Sequence, residues 1–314
     1  MKFFYTLLFI VHAQLYAFGD NNITVSLDGT GDYISIQDAV TACGAFSKEQ
    51  KTIYIKNGIY KEKILIDSFH SNIKIVGENK EKTIILNGDY AGQEGIGTFT
   101  SYTFKILGDN IQIKNLTIEN NAGKVGQAVA LHIEGDYFIA ENCQLLGNQD
   151  TLYASGHKSR QYFKNCFISG TTDFVFGAAT AIFYNCELYS KANSFITAAN
   201  TSKEKKFGFV FIKCNLTADS NVTKVYLGRP WRSYAKVVFF NCYMGKHIAP
   251  EGWHNWNKPE REKTAVYSEY NNKGEGANSN KRVDWSNQLT ERQAKAYNVE
   301  QIFKIESVWD IEVD

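Results

Sequence analysis

The sequence predicts an all-β chain wound as a right-handed parallel β-helix, with a short N-terminal capping helix and a C-terminal helix. Three observations carry this. Five cysteines recur in one local context: "ENCQL" (Cys143), "KNCFI" (Cys166), "YNCEL" (Cys186), "IKCNL" (Cys214) and "FNCYM" (Cys242), at intervals of 23, 20, 28 and 28 residues. Asn115 of "IKNLTI" fits one step earlier, 27 residues before Asn142. The surrounding segments are short, rich in Ile, Val, Phe, Tyr and Thr, and punctuated by Gly and Asn, whereas residues 50 to 245 show no helical apolar spacing of useful length. Self-similarity at 20 to 28 residues in β-rich units is the mark of a solenoid whose coils stack on their predecessors. Leucine-rich repeats share that period, but their leucine-asparagine consensus is absent.

In chain order, the first segment reads "MKFFYTLLFIVHAQLYAFGD". Lys2, the apolar run Phe3 to Val11 and small residues at Ala13 and Ala17 predict a signal peptide over 1–17 and hence secretion. The remainder, 18–314, shows no linker and is expected to form one domain. "DGTGDY" (28 to 33) lacks the acidic spacing of a calcium loop and reads as a turn. "SIQDAVTACGAF" (35 to 46) has helical spacing and is the expected cap. "NIKIVG", "NIQIKNLTI", "DYFIAENCQL", "QYFKNCFISG", "AIFYNCELYS" and "KVVFFNCYMG" are strand segments, and "LTERQAKAYNVEQIF" (289 to 303) is the C-terminal helix.

Composition narrows the function. Hydrophobic residues make up 44% and charged residues 21%, enough to bury a sizeable core. A net charge of +1 without a basic tract gives no case for nucleic acid or a membrane surface, and no apolar run reaches the ~20 residues that span a bilayer. The six histidines are scattered without metal-ligand spacing, and His132 reads as a packed strand residue. Small thiols at equivalent places suggest an internal stack of buried, mostly free cysteines.

Two acids stand out. Asp173 in "GTTDFVFG" and Asp150 in "GNQDTLY" each sit beside apolar residues, where an unpaired charge is costly. Gln127, Asp150 and Asp173 are spaced 23 and 23 apart, the interval between Cys143 and Cys166. With ~4.8 Å between neighbouring strands, the expectation is one column holding an amide and two carboxyls, with Gln149 at an adjacent face or strand edge. Carboxyls so close repel, which raises the pKa of one and separates an acid from a base. Arg229 of "YLGRPW" lies on a later coil and can grip a carboxylate with two hydrogen bonds. Spacing alone is equally compatible with a salt-bridged spine.

The blocks "GQAVALHIEGDYFIAENCQLLGNQDTLYASGHKSRQYFKNCFISGTTDFVFG" and "YLGRPW" closely resemble the pectinesterases (pectin methylesterases). The resemblance extends from "VSLDGTGDYISIQDAV" to "EGWHNW" and "VYSEYNNKGEGA", nearly the whole of 18–314. It implies a parallel β-helix that hydrolyses galacturonate methyl esters in pectin with neither metal nor cofactor; the chain, which its first segment predicts to be secreted, is expected to be a monomer. On it, Asp173 would be the nucleophile, Asp150 the acid and then base, Gln127 and Gln149 the oxyanion donors, and Arg229 the group that orients Asp173. Trp231, Phe176 and Tyr153 match aromatic positions along a sugar groove; Trp253 would form a further wall, and Thr98 a substrate contact. Two alternatives remain: a calcium-dependent lyase on the same architecture, in which the glutamines would have no role, and a non-catalytic carbohydrate-binding solenoid.

Overall fold

A computed structural model describes residues 21–304; the expected signal peptide, 1–17, lies outside the described residues. Among the described residues, the strands form three parallel sheets of eleven, eight and seven strands. Each central coil gives one strand to each sheet, as in Phe138–Glu141, Gln144–Leu146 and Leu152–Ala154. The next turn repeats the pattern with Arg160–Lys164, Phe167–Gly170 and Val175–Gly177. The predicted β-helix is therefore present, with three strands per turn.

The recurring Asn-Cys pair marks one corner of the coil. Asn115, Asn142, Asn165, Asn185, Asn241 and Asn271 all have φ between 47° and 56°, in the left-handed region that asparagine tolerates better than most residues. Their amides link neighbouring coils: Nδ2 of Asn142, Asn185 and Asn271 donates to Oδ1 of Asn115, Asn165 and Asn241, each at 2.7 Å. Lys213 holds the same backbone conformation, at φ 55°, and interrupts the amide ladder. The cysteine that follows turns inward. All six thiols are free and buried, as the sequence suggested. Cys186 and Cys214 donate to the carbonyls of Phe163 and Phe183 on the preceding coil, at 3.4 and 3.2 Å.

Inside the eleven-stranded sheet, register aligns Ile53, Ile75, Ile113, Ala140, Phe163, Phe183, Phe211 and Phe239 in one column. The four phenyl rings stack with centroids 4.7, 4.5 and 4.5 Å apart, close to the strand spacing itself. Glu269 comes next in that column and is held by Arg282 through two bonds of 2.8 and 3.1 Å, both side chains buried.

The N-terminal helix is shorter than expected, Ile36–Ala42 rather than 35–46. Ser35 caps it, the Glu62 carboxylate accepts from the amides of Ile36 and Gln37 at 3.0 Å each, and Gly44 at φ 75° turns the chain away. The single helix expected over 289–303 is instead two, Glu291–Ala294 and Val299–Lys304. Asn298 divides them: its Oδ1 accepts from the amide of Gln301 at 2.9 Å and starts a new helix. Val299, Ile302 and Phe303 then cover Tyr162, Ile182, Val210 and Val238 on the outside of the eleven-stranded sheet.

Candidate active site

Both acids lie at the corner between the eight- and seven-stranded sheets, just before Leu152–Ala154 and Val175–Gly177. These strands pair Leu152 with Val175 and Tyr153 with Phe176, so Asp150 and Asp173 occupy equivalent places on neighbouring coils. The expected 23-residue step holds here. Each acid sits at positive φ, 66° and 50°, and donates its amide to the next coil: Asp150 to Thr172 O at 3.0 Å, Asp173 to Phe195 O at 2.8 Å. Only 8% of Asp150 and 5% of Asp173 is exposed.

Their partners differ. Arg229, on the strand Tyr226–Pro230, donates Nε to Asp173 Oδ1 at 3.0 Å and Nη2 to Oδ2 at 2.7 Å. The guanidinium lies between the rings of Phe195 and Trp256, 3.9 and 3.7 Å from their centroids, a stacked seat that fixes its plane. No side chain among the described residues hydrogen-bonds the Asp150 carboxyl. Burial, and then the charge of Asp173, push Asp150 well above the usual carboxylate range. Burial also raises Asp173, but the hydrogen bonds and charge of Arg229 pull it back. Asp150 therefore keeps its proton to the higher pH.

The glutamines depart from the expected column. Gln127 forms a parallel bridge with Gln149, and Ala128 donates to Gln149 O at 3.1 Å, because the coil here is shorter: Leu131 pairs with Leu152. Gln127 thus stacks on Gln149, one position before Asp150, and not on Asp150 itself. Both are half-buried, and among the described residues neither side-chain amide has a protein partner. The two glutamines thus hold facing positions on neighbouring coils, with Gln149 directly before Asp150 in the chain.

An aromatic patch borders them. Tyr153 lies 4.8 Å from Phe176, and Phe176 lies 6.0 Å from Trp231, with Val129 and Ala198 beneath. Trp253 does not join it. That residue is 1% exposed, packed 4.5 Å from Tyr267 and 5.9 Å from Phe239, in the core. The wall expected of it belongs to Trp256, the second tryptophan of the same block. "EGWHNW" lies outside any regular strand, so no alternation told the inward ring from the outward one. Thr98 lies in the turn Thr98–Thr100, where its carbonyl accepts from Ser101; its neighbour Phe99, 43% exposed and 5.0 Å from Tyr153, carries the aromatic face. A phenylalanine in a turn gave no periodic signal. His132 is packed as expected, edge-on to Tyr153 at 4.6 Å and 2.6 Å from Glu134 Oε1 through Nε2. Among the described residues no three His, Cys, Asp or Glu side chains converge as a cation site, and no helix is long and apolar enough to cross a membrane.

Comparison with known proteins agrees with this fold. A sequence model described as Pectinesterase matches residues 22–306. A probable pectinesterase/pectinesterase inhibitor of Arabidopsis thaliana is 37% identical over 303 residues, covering 88% of this chain and 50% of that protein. The chain thus spans about half the length of that relative. Among solved structures, a pectin methylesterase from carrot superposes with a TM-score of 0.82 at 33% identity, covering 87% of this chain and 89% of that one. A pectin methylesterase in complex with a hexasaccharide gives 0.80 at 28% identity, covering 93% and 98%. The right-handed winding follows from the same superpositions. With its three-sheet solenoid and a family model that matches residues 22–306, the chain belongs to the pectinesterase family.

Proposed function

We propose that this chain hydrolyses methyl esters of galacturonate in pectin, releasing methanol and leaving free carboxylates. The observation that carries this reading is the asymmetry of the acid pair: Asp173 gripped by Arg229, Asp150 ungripped and holding its proton more tightly. In the proposed sequence an Asp173 oxygen attacks the ester carbonyl, and the side-chain amides of Gln127 and Gln149 donate to the oxyanion that develops. The tetrahedral adduct collapses as Asp150 gives its proton to the methoxy oxygen, so methanol departs and an anhydride joins Asp173 to the galacturonate. Asp150, now ionised, takes a proton from water, which opens the anhydride and restores both acids. Arg229 keeps the attacking carboxylate ionised and fixed in plane. Tyr153, Phe176, Trp231, Phe99 and Trp256 offer flat faces to sugar rings. Family membership supports the ester chemistry, and the unpartnered amides support the oxyanion role. We further propose that the chain acts as a secreted monomer.

Incubation with highly methylated pectin, with and without EDTA, tests the reading. Methanol without unsaturated ends, unchanged by EDTA, is the expected result. Unsaturated ends or loss of activity in EDTA would replace the esterase with a lyase, and binding without any product would leave a carbohydrate-binding solenoid.

A further inference from the structure

Register on the seven-stranded sheet places Lys105, His132, Tyr153, Phe176, Ala198 and Arg229 in one outward-facing column. That column is the floor beside the acids. Its two cations stand at opposite ends. Arg229 is engaged by Asp173, whereas Lys105 lies two rungs beyond Tyr153, ~10 Å along the solenoid axis.

Lys105 is half-buried, with Nζ 5.7 Å from the ring centroid of Tyr102. Lys63 covers the same ring at 4.9 Å, but its charge is committed to Asp89 Oδ2 at 2.5 Å and Thr100 O at 2.6 Å. Lys105 has no such partner: among the described residues no carboxylate lies within ion-pair distance of it. Glu134 feels its charge, yet the Glu134 carboxylate is bonded to His132 Nε2 at 2.6 Å. His132 itself is fully buried, and burial, with a smaller push from Lys105, keeps its ring below the usual imidazole value. The floor at this end thus presents an ammonium with no ion-pair partner of its own, beside a Glu134 carboxylate whose hydrogen bond is taken up by His132.

A partly desolvated ammonium gains most from a carboxylate supplied by a ligand. Methyl-esterified galacturonate is neutral and suits the aromatic stretch at Tyr153, Phe176 and Trp231. Its hydrolysis product carries a carboxylate and suits Lys105. We infer that Lys105 seats the free carboxylate of an unesterified galacturonate unit, so that the groove favours an ester accompanied by an acid on the Lys105 side. This inference rests on the proposed pectin substrate and adds a charge-reading position to that groove.

The test measures binding in the Asp173→Asn background, where turnover does not confuse it. Affinities for an unesterified oligogalacturonate and for the fully methyl-esterified oligomer of the same length are compared, and their ratio is followed. Lys105→Gln should lower the preference for the acid oligomer about 5- to 20-fold, and the change should shrink at high salt. Lys105→Arg should restore it. Lys74→Gln, on the outer face of the eleven-stranded sheet, removes the same charge elsewhere and should leave the ratio as it was. An unchanged ratio in Lys105→Gln, or an equal fall in Lys74→Gln, overturns the inference. Methanol release by the unaltered chain is scored separately: its absence alongside a Lys105-dependent ratio sinks the esterase and keeps the carboxylate seat, and the converse keeps the esterase alone.

Discussion

Asp150 and Asp173 share a corner, a backbone conformation and nearly complete burial, yet only one is gripped by a guanidinium. Asp173→Asn keeps the shape and removes the nucleophile, so methanol release should fall at least ~10³-fold while circular dichroism stays that of the folded chain; retained turnover would end its proposed role. The pair also sets pH behaviour. Rate should fall on the acid side as Asp173 protonates and on the alkaline side as Asp150 loses its proton, and Asp150→Asn should be nearly inactive throughout. Stability moves the other way. Because the folded-state pKa of Asp150 lies above its unfolded value, the folded chain binds more protons between the two, and stability declines as pH rises through that window. Near neutral pH, Asp150→Asn should therefore melt at a higher temperature than the unaltered chain, a gain that should vanish below the ordinary carboxylate range. Both acids were legible in the sequence because they fall on the coil period, and the arginine because a carboxylate among apolar residues calls for a cation from a later coil. Gln127 was placed on the wrong neighbour because that period shortens between Leu131 and Leu152.

At the scale of the element, the amide ladder and the phenylalanine stack are the repeating parts, and each carries a test. Lys213 occupies a left-handed position where its neighbours above and below are asparagines, and among the described residues its only polar side-chain contact is Nζ to Tyr184 Oη at 2.9 Å. Lys213→Asn should stabilise the chain by about 0.5–1 kcal/mol in urea unfolding, by relieving backbone strain and rejoining the ladder. Phe183→Ala, which removes a ring stacked on both sides, should cost about 3–5 kcal/mol in the same assay. Strand elements were legible because Asn and Cys recur where the chain must turn. The helices were less so. "LTERQAKAYNVEQIF" keeps an apolar spacing throughout, and only the local bond from Asn298 decides that it breaks. Trp253 and Trp256 were confused for a related reason, since burial in an irregular loop is set by what packs against it.

Across the whole molecule, the sequence conveyed the architecture because a solenoid repeats its local rule, and each coil needs only its neighbours. It conveyed less about the groove rim, where Phe99 and Trp256 come from turns that obey no period. The thiols give a measurement at this scale. All six cysteines are free and buried, so a thiol reagent should label essentially none in the native chain and six after denaturation, and reductant should not shift the melting temperature.

The Phe163–Phe239 ring stack ends at Glu269, locked to Arg282, and the rung beyond it pairs Glu269 with the exposed Gln288. A coil that ended on another phenylalanine would offer the next molecule a ready-made docking step, and copies could add end to end without limit. A buried ion pair followed by a polar rung offers an incoming chain no ring to stack on, which disfavours end-to-end addition on this sheet.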